Sequence, residues 1–365
     1  MPASATLLAG LLLTASPALA AEATELPDPL RGVAALAYDA TGEKLRVLQA
    51  DEVVGRSHLR EHDLTLQLGF SPVRALALGF ELPVVLDERL VWSEAHEMVF
   101  DPTLDNGSML GTPAIDPPPV LKGGGLAGPL LLLRVAPFHT RLHAGRGDRT
   151  SWVLEAGYRF QDKSSFYKTT NDGKRGGGTG ADALHLRSAW STERRSNRPY
   201  LDVVFDRAFT VPTPLRATDG SILTAGAAVR PASRLDARIG TEVPAIQAEG
   251  FELAVDLRAH AGYRSWQDVP SGLYLPDVLD TSRSVLVTQG DALSLTGGLG
   301  LLFRAPGKLD VRVSGDAGTE TPYQIEHPYG LYSGPGALVW AAGLTVRAWL
   351  SDALLGLPAD AAGGS

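Results

Sequence analysis

The chain contains no cysteine among its 365 residues. That excludes a disulfide framework, a cysteine-ligated zinc site and a lipid anchor carried on an N-terminal cysteine. Long apolar runs are missing too. Nowhere does the sequence reach the ~18 uninterrupted apolar residues that a helical membrane span needs. A cationic excess is also absent. With 33 Lys and Arg against 41 Asp and Glu, the formal net charge is -8, and no basic cluster interleaved with aromatics occurs. A nucleic-acid partner is therefore not expected. At the start, a short apolar run over 7–13 is followed by Pro17-Ala18-Leu19-Ala20-Ala21, the small residues of a signal cleavage site, although no Lys or Arg precedes the run. Residues 1–21 are read as a signal peptide and the chain as exported.

What is present is alternation. From Asp63, Leu64, Leu66, Leu68 and Phe70 share one face, and Asp63, Thr65, Gln67 and Gly69 the other. After a break at Pro72, Leu76, Leu78, Phe80 and Leu82 stand against Ala75, Ala77, Gly79 and Glu81. A period of two joined by a short Pro turn predicts an antiparallel hairpin. The pattern returns over 130–136, 151–161, 181–192, 200–205, 222–230, 235–243, 251–263, 293–303, 309–313 and 338–350, about twelve strands in all. A β-sandwich also alternates, but its strands rarely run past about ten residues, and 251–263 is longer. Mean hydropathy near zero suits a barrel whose apolar residues are hidden in alternation.

The fold class expected is therefore all-β, an antiparallel transmembrane barrel in the outer membrane, with a soluble exported β-sandwich binding protein as an alternative. Residues 22–57 are either a lumen plug or a first strand, 58–350 the barrel, and 351–365 a tail. Long loops are expected over 84–128, 162–180, 265–290 and 315–334, with Pro117-Pro118-Pro119 and Gly123-Gly124-Gly125 inside the first. Aromatics near strand ends, Phe70, Phe80, Tyr158, Phe160, Tyr200, Tyr263, Phe303 and Trp349, suggest interface girdles. One irregularity stands out. Pro231–Ser233 and 244–250 are consecutive connections and both are short, which breaks the expected rhythm of short turns and long loops.

The segment Leu68 to Pro83, L-G-F-S-P-V-R-A-L-A-L-G-F-E-L-P, resembles a hairpin of bacterial outer-membrane barrels. The likeness is to those grouped with the meta-pathway phenol-degradation proteins and related transporter-like barrels. The run from Gly177 to Tyr200, ending in Arg198-Pro199-Tyr200, is similar to a later segment of that family. The resemblance implies passage of hydrophobic or aromatic compounds across the outer membrane.

Motifs with chemical content are few. Gly123-x-Gly125-x-x-Gly128 matches a dinucleotide fingerprint, but Pro117 to Pro119 precede it and Pro129 opens a strand, so the helix N-terminus that would hold a pyrophosphate is not expected. Lys174 to Thr179 has Walker-like composition in the wrong order. His58 with His62, and His139 with His143, have metal-binding spacing only on a helix, and Leu59 and Thr140 stand where a zincin needs glutamate. No Gly-x-Ser-x-Gly elbow occurs, and His185 and Ser188 fall on opposite strand faces. No enzyme activity, cofactor or metal is expected.

The constellation with content is the row of ionisable residues sharing the polar parity of their strands: Glu155, Arg159, His185, Arg187, Asp202, Asp256, Arg258, His260, Arg264, Asp310 and Arg312, with Asp206, Arg230, Asp236 and Arg238 beside them. They read as a water-facing wall of cross-strand ion pairs and as candidate pore-lining residues that select solutes. The expected function is a passive pore or transporter for small molecules, hydrophobic ones included. A structural or adhesion barrel acting through its outer loops is the alternative. The partners expected are outer-membrane lipid, the barrel assembly machinery and a small-molecule solute.

Overall fold

A computed structural model shows a closed, antiparallel, up-and-down barrel. The structure describes residues 26–27, 29–49, 52–95, 120–138, 149–160, 174–175, 181–194, 196–212, 215–216, 222–224, 228–270, 286–305, 308–327, 330–334 and 336–350. The wall strands are β1 (Arg31–Gln49), β2 (Glu52–Val73), β3 (Leu76–Ala95) and β4, which runs in two halves, Val120–Leu126 and Leu130–Phe138. They continue with β5 (Arg149–Arg159), β6 (Ala183–Glu193), β7 (Arg198–Ala208) and β8 (Arg234–Ala248). The last four are β9 (Phe251–Arg264), β10 (Ala292–Ala305), β11 (Leu309–Glu320) and β12 (Ala337–Leu350).

Each strand pairs with its sequence neighbour, and β12 returns to β1, with Gly32 opposite Leu350 and Lys44 opposite Leu338. Closure matters because hydrocarbon offers no partner to an unpaired N–H or C=O, so only a sheet without edges crosses it. The wall thus begins at Arg31, inside the segment 22–57 for which plug and first strand were alternatives. The gap in β4 has a local cause. Pro129 lacks an N–H and cannot donate to the ladder, and the last bond before it runs from Ala127 N–H to the Pro83 carbonyl of β3.

Alternation sorts the two faces as the sequence suggests. On β9, Glu252, Ala254, Asp256, Arg258, His260 and Arg264 are buried while Leu257, Ala259, Ala261 and Tyr263 are exposed. Around the outside, Leu66, Leu78, Leu131, Leu186, Leu201, Ile239, Leu299 and Leu344 are exposed, and Leu295 reaches 66%. Such a belt is stable in lipid and would drive association in water. The β-sandwich alternative is thereby overturned, because the sheet closes on itself and its apolar face points outward.

Several expectations are corrected. Residues 222–230 form no wall strand. Ile222–Thr224 pairs with Leu215–Arg216, and Ala228–Val229 with Val211–Pro212, as short ribbons within the β7–β8 connection. Removing that strand restores the rhythm of short turns and long connections at this point, since Pro231–Ser233 is merely the end of a long loop; β1–β2 and β2–β3 remain two consecutive short turns. The loops were drawn too long elsewhere. β3 continues from Val84 to Ala95 and is met by Val120–Leu126; β11 runs on to Glu320, because Gly315 and Gly318 weaken the alternation without ending the strand.

Beyond β9–β12, ribbons Gln267–Pro270 with Leu286–Gln289 and Tyr323–His327 with Gly330–Gly334 extend the wall, joined through Thr288 and Glu326. Tyr200 belongs to no girdle; it is buried on the inner face. The signal peptide, the tail 351–365, Pro117 to Pro119, His139, His143 and most of 162–180 lie outside the described residues.

A chain that begins after Gln49 lacks β1 and leaves β2 and β12 unpaired. Refolded in detergent, it is expected to lose the heat-modifiable gel shift that the full barrel shows, whereas a chain beginning at residue 30 keeps it.

Candidate functional site: the charged interior

The inner face is a web of acids and arginines with a simple construction rule. Long side chains from two strands meet over a strand whose inner face is small. β10 presents Ser294, Gly298 and Gly300 inward, and over it β9 and β11 pair. Arg264 donates to Glu320 at 2.8 Å, Arg258 Nε to Asp316 at 2.7 Å, and Arg312 donates to Asp256. β8 does the same at Gly240. The Tyr200 ring lies across it from β7, and the hydroxyl donates to Asp256 of β9 at 2.8 Å. Asp256 therefore accepts from Tyr200, Arg312 and Arg258, and is 0% exposed. Three donors on one carboxylate are what a buried charge requires.

Other parts of the web lie along the wall. Arg187 makes a bidentate pair with Asp202, Nε to Oδ1 and Nη2 to Oδ2, each at 2.8 Å. His185 bridges Glu155 at 2.9 Å and Asp206 at 2.8 Å, and Arg134 donates to Glu155 from the far side. Both His185 ring nitrogens face carboxylates, so only the doubly protonated ring donates to both. Nearer the chain termini, Arg198 donates to Glu252, and Arg304 approaches both Glu242 and Glu252 at 3.5 Å and Asp310 at 3.8 Å. Toward the loop end, His260 meets Asp236 at 2.9 Å, beside a small polar cavity lined by Arg234, Asp236, Ser294 and Glu320.

Charges also meet across the lumen. β1 and β2 carry Asp39, Glu43, Glu61 and Asp63 inward. Asp39 lies within electrostatic reach of Arg238 and Arg258, Glu43 of Arg264, and Glu61 of Arg234. The acids of β1 and β2 therefore face arginines that β8 and β9 carry among acids of their own, and these residues are nearly all shielded from solvent. At the mouth near the termini, Leu26 is 2% exposed and packs with the inward Ala77, Ala136 and Val153.

The structure brings the sequence-predicted residues together. Glu155, His185, Arg187, Asp202, Asp256, Arg258, His260, Arg264, Asp310 and Arg312 all lie on the inner face with the partners given above. Arg159 is half-buried on the same face, near Asp206. Arg230 is the exception. It sits outside the web, stacked 4.6 Å over Trp266, because the strand assigned to it does not exist. Sequence reasoning missed Asp39, Glu43, Arg304 and Glu320. All four share the parity of buried neighbours, a signal that glycines and strand ends obscure in the sequence.

Among the described residues, no group of three or more acidic or His side chains is placed to hold a metal. His58 and His62 lie on the outer face of β2, and His62 Nδ1 pairs with the Tyr38 hydroxyl at 2.7 Å. The glycine-rich 123–125 is strand, with no helix after it.

No family model matches the sequence, and no curated protein matches it. Solved structures similar to this chain include an outer membrane channel from Pseudomonas putida F1, at 10% identity over 89% of this chain and 97% of that one, with a TM-score of 0.46. Another is the P. putida toluene transporter TodX, at 9% identity over 90% and 92%, with a TM-score of 0.37. A third is the outer membrane protease OmpT from Escherichia coli, at 9% identity over 90% and 100%, with a TM-score of 0.33. Scores and identities at this level carry no argument about activity, and the three proteins differ in what they do.

Two substitutions test the web. Gly240→Val would place a Cβ 2.6 Å from the Leu257 carbonyl oxygen and against the Tyr200 ring; it is expected to cost about 1–3 kcal/mol in urea unfolding from micelles. Arg312→Met leaves Asp256 short of a charge partner and is expected to cost about 3–5 kcal/mol in the same assay.

Proposed function

We propose that the chain is an outer-membrane barrel through which small molecules pass passively, with the inward acids of β1–β2 and the inward arginines of β8–β9 acting as a latch. The observation that carries this reading is that β1 and β2 turn Asp39, Glu43 and Glu61 inward while β8 and β9 turn Arg234, Arg238, Arg258 and Arg264 inward. Pairs within one wall stay intact whatever fills the centre. The attraction across the lumen weakens when a solute or a water column enters, and it recovers when the solute leaves. Twelve strands enclose more space than the roughly eight that side chains alone fill comfortably. The charged side chains here thus close a lumen that their displacement would open. Glu155, Arg159, His185, Arg187, Asp202, Asp256, Arg258, His260, Arg264, Asp310 and Arg312 are the proposed lining. The packing of Leu26 supports a stopper at the terminus-bearing mouth, and solutes of the hydrophobic, aromatic class fit the family resemblance of the hairpin Leu68–Pro83.

The density of the interior favours a second reading, a structural barrel with no passage. Planar-bilayer recordings separate the two. Asp39→Ala with Glu43→Ala removes two of the three acids of the latch and leaves Arg238, Arg258 and Arg264 without the charges facing them. Conductance is expected to rise several-fold over the parent, with a reversal potential showing anion preference. A chain lacking the residues before Arg31 is expected to conduct more than the full chain. Silence in all three forms, with no leak of small neutral solutes from liposomes, would establish the structural reading instead.

A further inference from the structure

Asp63 is the inward acid that the latch leaves out. It sits on β2 where the outer face passes from Leu64 to His62. The residue is 5% exposed, and neither of its carboxylate oxygens receives a hydrogen bond. Its neighbours are acids. Asp39 stands directly opposite on β1, and Glu88 of β3 lies within electrostatic reach. Glu61, two residues away on the same face, comes close as well, but it could donate only as the protonated acid. Among the described residues, no base acts on Asp63.

That isolation is not the rule on this face. Asp39 has Arg238 and Arg258 across the lumen, Glu43 has Arg264, Glu61 has Arg234, and Glu88 has a partner too. A carboxylate held away from water with neither a donor nor a counter-charge is costly. The group that removes this cost must bring N–H donors and positive charge together. A metal ion does not fit, because no three acids or histidines among the described residues are placed to ligate one. An ammonium group does fit. It carries a full charge and three N–H donors on one compact centre, and Asp39 opposite offers further acceptors. Toward the terminus-bearing mouth the same face turns small and apolar. Ala37 stands opposite Thr65 there, and Ala35 opposite Gln67, which suits an apolar body attached to the charged head.

We propose that Asp63, with Asp39 opposite, seats the ammonium group of small organic cations whose apolar part lies along Ala35 and Ala37. This inference rests on reading the lumen as a passage, and it names the class of solute that passes.

Thermal unfolding of the full chain in micelles, followed by the heat-modifiable gel shift at fixed ionic strength, tests the seat. Benzylammonium is expected to raise the midpoint. Benzyl alcohol has the same shape without the charge, and tetramethylammonium has the charge without an N–H; both are expected to leave it unchanged. Asp63→Asn keeps the shape and removes the charge, and about tenfold more benzylammonium is expected to be needed for the same rise. Glu326→Gln, exposed on the ribbon above the belt, behaves as the parent. Should Asp63→Asn not fold, the parent's discrimination among the three probes decides alone. No rise with benzylammonium, or an undiminished response in Asp63→Asn, would overturn the proposal. An equal rise with tetramethylammonium would do the same. So would an equal rise with benzyl alcohol, which points to a neutral carboxyl sharing its proton with Glu61. Planar-bilayer recordings keep the passage apart from the seat. A barrel that conducts yet shows no preference for benzylammonium loses the seat and keeps the passage. One that binds benzylammonium and never conducts keeps the seat and loses the passage.

Discussion

Everything in this molecule depends on the pairing of β1 with both β2 and β12. In hydrocarbon each backbone N–H and C=O must find its partner inside the sheet, so one unpaired edge would cost several kcal/mol per exposed group. The ladder from Gly32–Leu350 to Lys44–Leu338 removes that edge. Once the ring is closed, strand alternation leaves side chains two destinations, lipid or lumen, and most of the remaining structure follows from that division.

The lumen is where the division becomes expensive. Charges sent inward leave bulk water, and an isolated one would cost more than the barrel's net stability supplies. The interior answers with multiplicity rather than with single pairs. Asp256 gathers three donors, His185 bridges two carboxylates, and Arg304 is shared among Glu242, Glu252 and Asp310. Small residues make this possible. Gly240 gives Tyr200 room to reach over β8, and Ser294, Gly298 and Gly300 let β9 and β11 meet over β10. Glycines that look like weak points in a strand are here the gaps through which the web is tied. The inner acids of β1, Asp39 and Glu43, look across to β8 and β9, which sets that attraction apart as the one an entering solute would disturb.

The outside of β1–β3 carries Lys44, Arg46, Arg56, Arg60 and Arg89, with Asp87 beside Arg89. Where β1–β3 present acids inward, they present arginines and a lysine outward, above the belt. The inner acids and outer bases belong to alternate positions of single strands, so one stretch of sequence serves two environments.

Much of this was legible in residue order, and some was not. The hairpin around Pro72, the long strand β9 and the inward row from Glu155 to Arg312 follow from a period of two, because parity alone decides which face a side chain takes. The false strand at 222–230 and the truncated β3 and β11 show the limit. A two-residue period is also satisfied by loop ribbons, and glycines mask it in true strands. The sequence by itself determined the all-β class, the membrane-facing rows and the polar parity of the inner face. Only the tertiary structure decided that residues 31–49 close the ring, that Tyr200 turns inward, and which acid meets which base. Those outcomes depend on register and on which strands become neighbours, and pairing between residues distant in the chain leaves no periodic trace in the order of amino acids.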